Sequence, residues 1–198
     1  LDLFAILLDL KGELQMLRRS ASGENRNILQ AQLQAAVGAN VAIMLTAVLF
    51  YAGTGTLMLS VTIPYFAIVG APMIVLSQFL IFRLHLALKD YDPGADEGGT
   101  RLLKLRNRFV EYVAIGSVAW AGLICDLWTI PGTINHVLAG ITAFGLIGVG
   151  ALTFLCLPRS MFAWLLIVTA GGVLGPLLSD EKLPWYFYAA TAIYGFAL

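Results

Sequence analysis

Charge is what this sequence has least of. Asp, Glu, Lys and Arg make up 12% of its 198 residues, against about 25% in an ordinary soluble domain. Residues 27–82 contain none of the four. A bilayer core takes about 20 apolar residues per helical span, so this one run holds two spans, and the chain reads as an integral membrane protein. Cysteine is nearly as scarce. Cys125 and Cys156 are too few for a disulfide framework, and they fall near opposite membrane faces in the topology below. The two histidines, His85 and His136, fall on opposite faces as well. A full hydrocarbon thickness of about 30 Å between them excludes a shared metal or a bis-histidine haem, so no metal and no cofactor is expected. The formal net charge is zero, and no nucleic-acid partner is expected. No GxSxG, HExxH, GxxxxGK[ST] or CxxC pattern occurs, so no catalytic residue can be named. Residues 1–20 lack the small-residue cleavage site of a signal peptide.

What is present is apolar and punctuated. Six spans are expected, at 33–54, 60–82, 109–128, 135–157, 160–179 and from about Leu183 to the last residue. GTGTLML, TIPGT, PRS and SDEKLP are the short breaks, and Pro-Gly is a strong turn signal. The expected fold is all-α, a six-transmembrane-helix bundle of three hairpins. Pro64, Pro72 and Pro176 should kink their spans. The chain starts at Leu1 rather than Met and stops within an apolar run, so it is expected to be part of a longer protein.

Residues 1–26 form a separate region before the membrane domain, 27–198. Leu3, Leu7, Leu10, Leu14 and Leu17 recur at spacings of four and three, one stripe of an amphipathic helix. Two readings stay open: a helix lying on the inner membrane surface, with Arg18 and Arg19 near headgroups, or a dimerisation helix. SASGENRN, residues 20–27, reads as a flexible link.

Orientation follows from Lys and Arg in short loops. Lys11, Arg18, Arg19 and Arg26 precede the first span; Arg83, Lys89, Arg101, Lys104, Arg106 and Arg108 occupy the 83–108 interruption; Arg159 lies between spans four and five. All eleven fall on one side, and Lys182 alone on the other. That places both termini in the cytoplasm, with Trp128, Trp185, Tyr186 and Tyr188 forming an aromatic belt at the outer interface.

The 83–108 segment contains GADEGG, which invites comparison with the GGDEF signature of diguanylate cyclases. The order is wrong, because no Gly-Gly precedes the acidic pair and no Phe follows it. The segment reads as a solvated turn in which Asp90, Asp92, Asp96 and Glu97 face water and Arg101, Lys104, Arg106 and Arg108 meet lipid phosphates.

Asp126 is the least expected residue, since an ionisable group in a span is costly and is a functional hypothesis by default. It could end a helix, or pair with Asn135 or His136 across TIPGT. A ligand- or proton-sensing site of Asp126, Trp128, Asn135 and His136 is the sharper reading. Asn40 and Gln78 are mid-membrane amides suited to interhelical hydrogen bonds, and the glycines of spans four and five suit close helix packing.

The stretches AQLQAAVGANVAIML, RNRFVEYVAIGSVAWA and NHVLAGITAFGLIGVGALTFLCLPRSMFAWLL carry a resemblance. Over residues 25–198 the layout resembles the membrane sensor region of bacterial GGDEF/EAL (cyclic-di-GMP) signalling proteins. The resemblance implies a homodimeric sensory and anchoring module followed by a cytoplasmic diguanylate cyclase or phosphodiesterase, which would hold any enzyme activity. It carries no catalytic residue into this chain. Two rivals remain open: a non-catalytic accessory subunit of a larger membrane complex, and a small-solute transporter. Besides a second copy, the lipid bilayer is the partner expected in every case.

Overall fold

The computed structural model describes residues 23–59, 63–96, 99–179, 188, 189 and 193. The amphipathic stripe of residues 1–20 and the sixth span from Leu183 lie outside them. The described residues form five helices and no strands: α1, Gly23–Leu59; α2, Tyr65–Lys89; α3, Thr100–Thr129; α4, Thr133–Phe154; and α5, Pro158–Leu178. All five are long and apolar enough to cross a membrane. Their outward faces carry large apolar side chains, among them Leu45, Leu57, Val69, Ile141 and Leu152, a surface suited to hydrocarbon rather than water.

The helices overrun the expected spans. α1 begins at Gly23, so the second half of the expected flexible link is helical, and it continues through GTGTLML instead of breaking there. Gly53 and Gly55 are poor helix formers in water, but no water competes for backbone groups in hydrocarbon, where each N–H and C=O must pair within the segment. The Thr56 hydroxyl reinforces this stretch by donating to Ala52 O at 2.8 Å. Pro64 precedes α2 rather than kinking it, and the helices run on through Pro72 and Pro176. The break at TIPGT falls where expected, whereas Pro158, Arg159 and Ser160 of PRS open α5 and the chain breaks just before them, at residues 155–157. Gly132, at φ +117°, sits between α3 and α4 in a conformation that L side chains rarely adopt.

The 83–108 interruption changes most. Residues 83–89 complete α2 and residues 100–108 open α3, so only 90–99 connect the two helices. Arg83, Lys89, Arg101, Lys104 and Arg108 are exposed on these helix ends, with Arg106 half-buried. The connection is not a wet turn throughout. Asp96 and Tyr91 are buried. The Asp96 carboxylate accepts the Tyr91 hydroxyl at 2.9 Å and the N–H groups of Arg101 and Leu102 at 3.1 Å each. Those amides belong to the first turn of α3, where orphan donors and the helix dipole favour a negative charge. Gly99, at φ +67°, turns the chain into the helix. Arg26, in the first turns of α1, donates to Pro93 O at 3.1 Å and ties α1 to the same loop.

The core is centred on α3, which packs chiefly against α5 and α2. The most extensive interface therefore joins helices that are not sequence neighbours, unlike the three sequential hairpins expected. Small residues permit the approach. A Cβ at Gly171 would stand 2.7 Å from Ala121 Cα, and one at Gly116 would stand 2.8 Å from Ser77 Oγ. At such spacing the Ser77 hydroxyl reaches Tyr112 O, 2.7 Å away, and Cys125 Sγ meets Gly171 O at 3.7 Å. Cys125 is buried and Cys156 exposed, and neither forms a disulfide.

Two predictions follow from this packing. Gly171→Val overpacks the α3–α5 interface, where the facing atoms are backbone and cannot move aside. It should cost about 1–3 kcal/mol, read as a lower thermal unfolding midpoint in detergent. Gly140→Ala, with nothing within 4 Å of the new Cβ, should leave the midpoint unchanged.

The second concerns acid. Burial alone would raise the Asp96 pKa, but the hydrogen bonds from the Arg101 N–H, Tyr91 and the Leu102 N–H, together with the charge of Arg26, hold it below the ordinary 3.8. A depressed carboxylate stabilises the fold above its unfolded-state pKa, and the contribution fades as pH falls through the folded-state value. Asp96→Ala should therefore be less stable than the parent at pH 7. The gap should narrow as pH drops below 3.8, in parallel denaturation series.

Candidate functional site

The end of α3 carries Asp126 and Trp128, and the first turn of α4 carries Asn135 and His136, the four residues singled out in the sequence. Asp126 lies three residues from the end of α3, within about 5 Å of it along the axis, and is almost wholly buried. Its carboxylate accepts the backbone N–H of Ala67, and the Phe66 N–H also turns toward it. These amides lie in the first turn of α2, where four N–H groups have no partner inside the helix. Pro64, at the N-cap position, has no side-chain acceptor to offer them. Asp126 acts as the missing cap, supplied by a neighbouring helix. The carboxylate is spent on α2's amides, not on the pairing with Asn135 or His136 that the sequence suggested.

Tyr51 of α1 closes the node. Its hydroxyl is shared between Ala67 O at 3.2 Å and Ala119 O at 3.3 Å, and its ring meets Trp120 edge-on with centroids 5.2 Å apart. The hydroxyl fits because residue 70 is glycine: a Cβ there would lie 2.1 Å from the Tyr51 oxygen. Ala67 is thus held at its N–H by α3 and at its carbonyl by α1. Three helices meet at one residue with no side-chain polarity of its own.

Trp128 turns the other way. Its ring stacks on His136 of α4, centroids 4.9 Å apart and planes 27° from parallel, and both side chains are buried. The indole also covers Gly175 of α5, where a Cβ would stand 2.4 Å from Trp128 Cδ1. Asn135 is half-buried and caps the connection locally, donating to Pro131 O at 3.0 Å. Of the four residues grouped from the sequence, Trp128 and His136 are in direct contact. Asp126 serves α2 and Asn135 its own turn.

Asn40 and Gln78 are buried as expected. Among the described residues, however, neither amide oxygen has a hydrogen-bond partner, so the expected interhelical bonds are not made through those atoms. Both residues line a cavity of about 460 Å³ between α1 and α4. Arg106 and Arg159 lie together at a different site, a small pocket of about 70 Å³ beside Ser160 at the start of α5.

Sequence reasoning missed Tyr51, Tyr91 and Asp96 as structural centres. For Tyr51 a signal existed, the single phenol of the expected first span, 33–54. Ala67 carried none, because it takes part only through its backbone. No protein-family model, curated protein or solved structure matches this chain.

Asp126→Ala leaves the Ala67 N–H buried without an acceptor and should cost about 1–2 kcal/mol. Tyr51→Phe should cost about 0.5–1.5 kcal/mol. Because both act on Ala67, their double mutant should lose less than the sum of the two. Unfolding of all four proteins in one detergent checks this, and strict additivity would separate the two interactions.

Proposed function

We propose that this chain is the membrane sensory and anchoring module of a bacterial signalling protein. It works as a homodimer in the inner membrane, with its termini in the cytoplasm, and transmits a rearrangement of the bundle to a cytoplasmic output such as a diguanylate cyclase or phosphodiesterase. The observation that supports this reading is the buried node at one end of α3. Asp126, an ionisable group, holds α2 through Ala67 while Tyr51 holds α1 to the same residue. Two residues further on, Trp128 stacks on His136 of α4 and covers Gly175 of α5. A ligand or proton acting here reaches every described helix through one turn of α3, and a local chemical event of this kind is what a switch needs. The basic residues Arg83, Lys89, Arg101, Lys104 and Arg108 cluster at the opposite end of the same helices. That distribution agrees with a cytoplasmic face there.

A first measurement is the intact mass of the native polypeptide from membranes. A mass exceeding 21.4 kDa by one or more domains supports the module reading, whereas a mass close to that value favours an accessory subunit. The second measurement uses the native-length protein. Asp126→Asn and His136→Gln should shift its output response, read as cyclic-di-GMP turnover against pH, while the helical circular dichroism stays at the parent level. A response identical to the parent at every pH would remove the node from the signalling path.

A further inference from the structure

α1 and α4 meet over only a few residues, and the cavity lies between them. Its walls are the middle of α1, from Asn40 to Phe50, and most of α4. Gln78 of α2, Trp120 of α3 and Trp164 of α5 complete its lining. About 460 Å³ falls within the range of roughly 300–1,000 Å³ typical of small-molecule sites.

Besides the less buried Thr46 and Thr153, three polar side chains line this otherwise apolar space: Asn40, Gln78 and Thr142. Each is more than nine-tenths buried. The Asn40 and Gln78 amide oxygens and the Thr142 hydroxyl have no hydrogen-bond partner among the described residues. Burying a polar group without a partner costs free energy in any apolar medium, and lipid chains offer none. Ser160 and Thr169 carry buried hydroxyls, unpaired among the described residues, away from this cavity, but here two amides and a hydroxyl line one space, an arrangement that a bound molecule with polar atoms explains. Each amide carries two N–H donors and one acceptor and interchanges them by a half-turn, and the hydroxyl both donates and accepts. The complementary groups are carbonyls or hydroxyls.

The lining also specifies shape. Two aromatic pairs face the cavity, Phe50 with Trp120 at a centroid distance of 6.0 Å and Phe154 with Trp164 at 5.6 Å. Gly145 forms part of the wall and has no atom within 4 Å of where its Cβ would be, which leaves space over the α4 backbone. Aromatic faces beside a flat glycine wall suit a planar ring. Asn40, Gln78 and Thr142 all lie near the middle of their helices, far from the depth of phospholipid headgroups.

We propose that the cleft between α1 and α4 binds a flat, lipid-soluble molecule that carries carbonyl or hydroxyl groups on a ring, held by the Asn40 and Gln78 amides and the Thr142 hydroxyl. This assignment is independent of the output that the module serves.

The test uses the native-length protein in nanodiscs with decylubiquinone as the probe, reading tryptophan fluorescence, because Trp120 and Trp164 line the cleft. The parent should show a saturable quenching component above the linear background of partitioned quinone. Gly145→Leu fills the cleft without meeting another residue and should weaken the saturable component more than tenfold. Gly140→Leu on the same helix, outside the lining, should not change it. Asn40→Leu and Gln78→Leu should each weaken binding by roughly fivefold to tenfold, the loss of about one hydrogen bond, with an unfolding midpoint equal to or above the parent's.

Three results would overturn the proposal. Linear quenching alone, identical in the parent and Gly145→Leu, would mean no site for such a ring. Equal competition by 1-dodecanol, which has a chain and a hydroxyl but no ring, would make the cleft a seat for acyl chains. Lower midpoints for Asn40→Leu and Gln78→Leu with unchanged binding would make the two amides helix-pairing groups.

Discussion

A helix that begins inside hydrocarbon has four backbone N–H groups and nothing outside the protein to give them to. For α2 the difficulty is acute, because the residue before it is Pro64, which has no capping oxygen. The Asp126 carboxylate answers it from α3 by accepting the Ala67 N–H. That bond ties the start of α2 to the end of α3, at one end of an interface that Ser77 and Gly116 continue further along. Tyr51 then completes Ala67 from the other side, and its own fit depends on Gly70. The same device recurs at the other end of the bundle, where Asp96 takes up the first-turn amides of α3. Both buried carboxylates are thereby accounted for by backbone geometry, each at the start of a helix whose own cap residue offers no side-chain hydrogen bond.

Close packing follows from the same medium. Lipid is as apolar as leucine, so helices gain little by merely hiding apolar surface from it, and contact distance decides association. Gly171 and Gly175 admit Ala121 and Trp128 to a distance at which a side chain at either position would collide. Gly116 does the same toward Ser77. Such intimacy lowers tolerance most at Gly171, where the facing atoms include the Ala121 backbone, which has nowhere to retreat. The loose seam between α1 and α4 is the exception, with Gly145 facing open space, and there the Asn40 and Gln78 amide oxygens have no partner among the described residues.

Six spans were read from the apolar runs, and the five within the described residues are helices long and apolar enough to cross a membrane. TIPGT was readable as a turn, whereas PRS opens α5 and the break falls just before it, at residues 155–157. Helix ends were not readable. Hydropathy marks where lipid stops, but hydrogen bonding continues past it, so residues 83–89 and 100–108 are helical although they are among the most charged in the chain. GTGTLML failed as a break for the complementary reason, glycine being a weak breaker where unpaired backbone is prohibitive. At the candidate site, Asp126 drew attention because charge is rare there, and Trp128 and His136, grouped with it, touch across a short turn. The partner of Asp126 was hidden, since an alanine amide leaves no trace in a residue pattern. Asp96 was hidden in the opposite way. Among four acidic residues in a Gly-rich stretch, nothing local distinguishes the one that folds inward onto Tyr91.

α1 is fastened at two places. Arg26 grips Pro93 O near its start and Tyr51 grips Ala67 and Ala119 near its end, twenty-five residues and about 37 Å apart along the axis. Between these two hydrogen-bonded ends, Leu33, Ala36, Val37 and Asn40 are buried against the rest of the bundle, so the middle of α1 is held by packing instead. Moving α1 away from α4 would therefore cost side-chain contacts along its middle as well as the hydrogen bonds at its ends.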